Sequence, residues 1–219
     1  MCSVWFPKCG ARSAEVRMAK RLFDLLFASA GLLLLAPLLL GIALWIKLDS
    51  RGPVYFRQQR VGRGGALFRI HKFRSMVDGA PAVGRDLTVG ADPRITRAGR
   101  FLRRSKLDEL PQLLDVLAGS MSLVGPRPEL PRYVALYPAE LRDKVLSVRP
   151  GITDIASIEF RNESELLARA ADPEHEYVHV VMPQKLRFAA AYVEQASLAT
   201  DLRLLLRTLR VLIGGGPAP

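Results

Sequence analysis

Cysteine, acid and interior charge are what this chain is short of. Its two cysteines, Cys2 and Cys9, sit in one short N-terminal segment with no further pair and no metal-ligand spacing, which excludes a disulfide scaffold and points to reduced thiols in a reducing compartment. Acids are outnumbered, 21 Asp and Glu against 32 Lys and Arg, so the formal charge is +11 and the natural partners are anionic lipid, nucleic acid or phosphorylated molecules. No internal repeat or low-complexity tract is present. With 49% apolar and 24% charged side chains in 219 residues, the chain is neither disordered nor collagen-like and can bury a core of its own.

The third shortage is local. Residues 25–46 contain no charged side chain, and these 22 residues would span about 33 Å as a helix, close to the thickness of a bilayer core. A cleavable signal peptide fits poorly, since the run is too long and leads into a basic segment without a small-residue cleavage site. Both flanks are basic: Lys8, Arg12, Arg17, Lys20 and Arg21 before it, Lys47, Arg51, Arg57, Arg60 and Arg63 after it. A spanning helix would carry one cluster to the side that disfavours positive charge. Pro37, between Gly31 and Gly41, removes a backbone donor near the middle. A re-entrant helix that breaks at Pro37 and returns both flanks to the cytoplasmic face reconciles the two; a single kinked spanning helix is the alternative.

Beyond Gly52-Pro53, residues 54–61 and 66–73 read as two strands joined by the turn residues Gly62 to Gly65. The glycines do not make a nucleotide fingerprint, because no P-loop lysine follows and the next element is a strand. Residues 78–92 read as a loop. Then Arg94, Arg97, Arg100, Arg103, Arg104 and Lys106 crowd thirteen residues and lead into Asp108-Glu109, ahead of the leucine-faced helix that should begin near Leu107 or Asp108 with Pro111 in its first turn. Two carboxylates at a helix start amid guanidinium groups suit anion and phosphate chemistry, although both residue types also serve there as simple caps. Gly125-Pro126-Arg127-Pro128 holds one arginine between rigid prolines, a frame for bidentate phosphate binding.

Two later segments carry other readings. His175-Glu176-Tyr177-Val178-His179 fits H-E-x-x-H, a zinc motif when helical, but the valines and Pro183 argue against a helix and no third histidine ligand follows. Residues 201–213 place apolar side chains at 202, 205, 206, 209, 212 and 213, with Arg203, Arg207 and Arg210 on another face. That is a basic amphipathic helix suited to an anionic membrane surface.

The strings Lys20-Arg21-Leu22-Phe23-Asp24, Gly52-Pro53-Val54-Tyr55-Phe56-Arg57-Gln58, Lys72-Phe73-Arg74-Ser75-Met76, Asp92-Pro93-Arg94-Ile95-Thr96, Leu107-Asp108-Glu109-Leu110-Pro111-Gln112-Leu113, Ser122-Leu123-Val124-Gly125-Pro126-Arg127-Pro128 and Arg149-Pro150-Gly151-Ile152-Thr153 resemble, in order and spacing, the bacterial sugar transferases, that is, the monotopic phosphoglycosyl transferases. The resemblance covers residues 18 to 213. It implies transfer of a sugar 1-phosphate from a UDP-sugar to a polyprenyl phosphate of undecaprenyl type, with release of UMP, at the cytoplasmic face of the bacterial inner membrane. It implies Mg²⁺ as cofactor, Asp108 as nucleophile and metal ligand, Glu109 as proton acceptor, and Pro37 as the membrane break. Arg94, Arg103, Arg127, Lys72 and Arg74 are the expected substrate-binding cations. The partners are then the UDP-sugar, the polyprenyl phosphate and the phospholipid bilayer, with no nucleic acid and with homo-oligomer formation left open. A basic membrane or nucleic-acid binding module without catalysis is the competing reading.

Two departures from the family's pattern stand out. Lys106 replaces the usual serine before Leu-Asp-Glu, and residues 154–163 replace a glycine-rich stretch. Within the latter, Glu159, Arg161 and Glu163 alternate as on a polar strand face. The expected fold is α+β: a tail over 1–18, a re-entrant membrane helix over 19–48, and over 49–219 a small cytoplasmic catalytic domain with a β-hairpin and surface amphipathic helices.

Overall fold

The computed structural model describes residues 14–80 and 87–214. Cys2, Cys9, Lys8 and Arg12 lie outside these residues, as do 81–86 of the expected loop. The first element, α1 (Ala14–Asp49), starts earlier than the expected boundary and runs through Pro37 without interruption. The expected break is therefore not an end of the helix. Pro37 deprives one upstream carbonyl of its amide partner, a loss of one rung that the neighbouring turns absorb. Over Arg17–Asp49 the helix is apolar and long enough to cross a membrane, and Leu33 and Leu34 are 77% and 80% exposed.

Both ends of α1 are tied to the rest of the chain. Near its start, Lys20 donates to Asp201 at 2.5 Å, Arg21 donates to the carbonyls of Val116 and Leu117, and Asp24 accepts the Leu123 amide at 3.1 Å. Near its end, Asp49 accepts the Ala98 amide at 3.0 Å, while Ile42 and Ile46 pack on Phe73 and Leu102.

Strands β1 (Tyr55–Val61) and β2 (Leu67–Phe73) pair antiparallel, Tyr55 opposite Phe73 and Val61 opposite Leu67. Gly64 and Gly65, at φ 67° and 82°, make the turn as expected from the glycine cluster. Helix α2 (Arg97–Ser105) is capped by Thr96, whose hydroxyl accepts the Gly99 amide, and passes so close to the hairpin's end that a Cβ on Gly99 would lie 1.9 Å from the Ser75 carbonyl oxygen. A 3₁₀ turn over Leu107–Glu109 follows, and α3 begins only at Gln112 (Gln112–Ala118). The dyad thus precedes the α-helix instead of opening it. Pro111 has no amide to offer the Leu107 carbonyl, which accepts from Leu110 at 3.3 Å in a tighter turn.

Strand β3 (Ser122–Val124) is joined through α4 (Pro131–Val134) and α5 (Ala139–Leu146) to β4 (Gly151–Thr153), its parallel neighbour. A Cβ on Gly151 would lie 2.1 Å from the Gly125 amide nitrogen, so glycine is required for this crossing. The alternating residues 159–163 are not a strand: α6 (Ile155–Glu159) and α7 (Glu163–Ala168) occupy the region, because Asp154 caps α6 by accepting the Ser157 amide at 2.7 Å. Helix α8 (Pro173–Glu176), a π turn (Tyr177–Val181) and α9 (Met182–Gln195) form one helical run. The valines were expected to prevent a helix there; Asp172 capping and burial of Tyr177 and Val181 override their weak propensity. Helix α10 (Leu198–Gly214) closes the described chain.

The main core gathers Ala28 of α1, Ile70 of β2, Val116 of α3, Val124 of β3 and Tyr192 of α9. The larger aliphatic side chains among them each contribute about 1.5–3 kcal/mol on burial. The 3₁₀ turn is anchored on a second cluster, where Leu107 packs against Ile42, Ile46, Phe73 and Leu102. Helices combine with two small two-stranded sheets, an α+β architecture.

Candidate active site

A cavity of about 960 Å³ lies between β2, the end of α2, the 3₁₀ turn, the segment after β3, and helices α6, α9 and α10. Asp108 and Glu109 both line it, and their surroundings separate them. Glu109 accepts from Lys72 at 2.9 Å and from both terminal nitrogens of Arg127, one at 3.0 Å. Burial alone would raise its carboxyl, but the Arg127 and Lys72 charges outweigh that and hold it well below the usual carboxylate range.

Asp108 is only 7% exposed, and its Oδ1 is buried without a hydrogen-bond partner. Burial, and next the neighbouring Glu109 charge, push its carboxyl up, against the pull of Lys72, Arg103 and Lys106. One carboxylate is saturated and the other is kept free. A buried carboxylate oxygen left unpaired is expensive and marks a functional position.

The expected cations divide by what already occupies them. Lys72 and Arg127 both face the cavity and share Glu109. Arg127 is fixed from behind as well, its backbone amide donating to Asp154 at 3.2 Å. Arg103 faces the cavity from the last turn of α2, its nearest polar neighbour being Ser75 Oγ at 3.5 Å. Arg94 lines the cavity but is clamped on Asp92, with contacts of 3.0, 3.1 and 2.7 Å. Arg74 departs from expectation. It too lines the cavity, but its guanidinium donates to the Ser50 carbonyl at 2.7 Å and to the Arg51 carbonyl, so it also caps the C-terminal end of α1.

Further residues reach the cavity. Lys106 reaches the cavity from a left-handed backbone position, and burial lowers its ammonium. Glu163 and Lys185, paired at 2.8 Å, line the far wall, and Tyr177 lies beside them. They come from α7, α9 and the π turn, which only the tertiary fold brings near β2. The lining also has an apolar part, formed by Gly31 and Leu35 of α1, Leu113 of α3, and Leu205, Leu209 and Leu212 of α10.

His175 and His179 are exposed, and their rings stack at 4.3 Å. Among the described residues no group of three or more His, Cys, Asp or Glu is placed to hold a metal ion. A cation at Asp108 would therefore have one protein carboxylate and take its remaining oxygens from substrate phosphates and water. Mg²⁺ is commonly bound in that way, and the unpartnered Oδ1 fits it.

The bacterial sugar transferase family model matches residues 15–215. A UDP-glucose:undecaprenyl-phosphate glucose-1-phosphate transferase of Caulobacter vibrioides is 39% identical over 203 residues, covering 90% of this chain and 71% of that protein. The Escherichia coli protein of the same description is 39% identical over 200 residues, covering 88% of this chain and 40% of its own length. A UDP-N-acetylgalactosamine-undecaprenyl-phosphate N-acetylgalactosaminephosphotransferase of Aeromonas hydrophila is 37% identical over 198 residues, with 90% of this chain and 44% of that protein covered. The chain thus spans less than half of two of these three relatives. The match embraces the 3₁₀ turn, both glycine crossings and the whole cavity, and the chain belongs to the bacterial sugar transferase family.

Proposed function

We propose that this chain transfers a sugar 1-phosphate from a UDP-sugar to a polyprenyl phosphate of undecaprenyl type and releases UMP. The observation that carries the reading is the free, buried Asp108 beside the saturated Glu109 in a cationic cavity with an apolar part. A binding module without chemistry has no use for a buried carboxylate kept unpartnered. Asp108 attacks the sugar-bearing phosphorus; the P–O bond to UMP breaks, leaving an aspartyl phosphosugar. The polyprenyl phosphate oxygen then attacks the same phosphorus and frees the Asp108 carboxylate, giving a polyprenyl diphosphate sugar. Arg103 and Arg127 stabilise charge on the phosphoryl oxygens. Mg²⁺, when bound at Asp108 and the substrate phosphates, supplies further neutralisation of that charge.

Glu109 takes a different part from the proton acceptor expected from sequence. Held ionised by two cations, it is a weak base, and it instead aims Lys72 and Arg127 into the cavity. The apolar part of the cavity suits the first isoprene units of the acceptor.

The membrane reading rests on α1 and α10. A helix crossing the bilayer would carry Lys20 and Asp24 to one side and Asp49 to the other, yet all three bind the same domain, which favours re-entry with both flanks at the cytoplasmic face of the inner membrane. Helix α10 exposes Leu202, Leu206, Leu209 and Leu212 along one side, with Arg203 and Arg210 also exposed, as a helix lying on anionic lipid would.

The test is a single-turnover assay. Enzyme with UDP-sugar and Mg²⁺ but no lipid should release about one equivalent of UMP and gain the mass of a sugar phosphate on the peptide bearing Asp108. UMP that appears only once lipid is added, with no adduct, would refute the covalent route.

A further inference from the structure

A lysine stands where the backbone asks for glycine or asparagine. Lys106 is the sole non-glycine residue at positive φ among the described residues, with φ 58° and ψ 15°, and it ends α2 one step before the dyad's 3₁₀ turn. A side chain in the left-handed region is disfavoured by about 1–2 kcal/mol, which Gly does not suffer and Asn suffers less. The position is therefore held against local preference.

The ammonium adds a second oddity. The cavity's other lysines are paired: Lys72 with Glu109 and Lys185 with Glu163. Arg60 is paired with Glu129 and Arg127 with Glu109. The Lys106 side chain lines the same cavity and is half-buried, yet it makes no hydrogen bond or ion pair with any described residue. Glu109, its nearest strong attractor, is already spent on Lys72 and Arg127. A partly desolvated cation on a strained backbone, attracted by Asp108 and Glu109 but ion-paired with neither, is poised to take an arriving anion.

We propose that Lys106 is a catalytic residue of this chain: its ammonium binds the diphosphate of the incoming nucleotide sugar together with Arg103, and so completes the cation set around Asp108. This rests on the transferase reading. Two features assign the anion. Lys106 lines the same cavity as Asp108, two residues from it, and Arg103 on the preceding turn faces that cavity without an ion-paired acid.

Replacement by the residues the backbone prefers provides the test, on the full chain with undecaprenyl phosphate and Mg²⁺. Lys106→Asn, and Lys106→Gly as a second variant, should raise the apparent Tm by about 2–4 °C through relief of strain, while kcat/KM for UMP release falls by about 10². Lys106→Arg, which keeps the charge but not the relief, should recover at least about tenfold of that loss with Tm near wild type. A fall in both Tm and activity for Asn and Gly would make Lys106 structural and overturn the proposal. Activity within about twofold of wild type for either, or an Arg variant no better than Asn, would overturn it as well. A wild-type chain that releases no UMP from any of a panel of UDP-sugars would strike the transferase reading itself, an outcome distinct from these.

Discussion

Asp108→Asn should kill the enzyme and strengthen the protein. The carboxylate is 7% exposed, its Oδ1 has no partner, and its nearest acid neighbour is an ionised Glu109. Burial and that like charge together exceed the pull of Lys72, Arg103 and Lys106, so the folded carboxyl titrates above its unfolded value. The sign follows from linkage: the folded state holds the proton more tightly, so this residue favours folding below the unfolded value and that advantage is lost as pH rises through the raised one. At neutral pH the ionised carboxylate is a net burden. Asparagine has nearly the same shape without the charge, and removing an unpaired buried charge should return about 1–3 kcal/mol. For a chain of this size that is an apparent Tm higher by about 2–10 °C. Thermal unfolding in detergent, followed by tryptophan fluorescence at pH 7.5 and again near pH 4, is the measurement. The gain should be largest at pH 7.5 and shrink as pH falls through the raised titration of Asp108, and UMP release should be lost throughout. A variant less stable than wild type at pH 7.5 would show that the surrounding cations, not desolvation, dominate at Asp108, and the argument for a free nucleophile would fall with it.

The adjacent residue should respond with the opposite sign. Glu109→Gln strips the shared acid from Lys72 and Arg127, so stability should drop by about 3–5 kcal/mol at neutral pH. Because the folded Glu109 carboxyl is depressed, that difference should fade as pH falls through its folded value, and an unchanged Tm at pH 7.5 would contradict the pairing. Gly99→Ala would set a Cβ 1.9 Å from the Ser75 carbonyl oxygen and should cost about 1–3 kcal/mol or prevent folding, whereas Gly41→Ala, inside α1, meets nothing within 4 Å and should not lower Tm. In a cysteine-free background, Met18→Cys and Arg51→Cys should be labelled from the same side of the membrane by an impermeant maleimide. Labelling from opposite sides would replace re-entry with a crossing helix.

Features that depend on near neighbours and on period were legible in the sequence. The uncharged run of 25–46 became α1, because an apolar stretch of that length makes a helix whatever surrounds it. The glycine cluster produced the β1–β2 turn, since positive φ is a local demand. Crowding of Arg103, Lys106, Asp108 and Glu109 was visible as spacing, and so was the apolar stripe of α10 with its arginines. What the spacing did not contain was which acid would be spent and which spared. Glu109 is claimed by Lys72, 37 residues away, and by Arg127, 18 residues away, while Asp108 is left alone. Arg74, two residues from Lys72, was drawn off to the end of α1 by carbonyls more than 20 residues upstream. Residues 159–163 alternate like a strand but fold as helix ends, because the Asp154 cap sets their hydrogen bonding. Desolvation and ion pairing depend on distances between groups remote in the chain, so only the packing of β2, the 3₁₀ turn and the segment after β3 around one cavity decided which carboxylate stayed free.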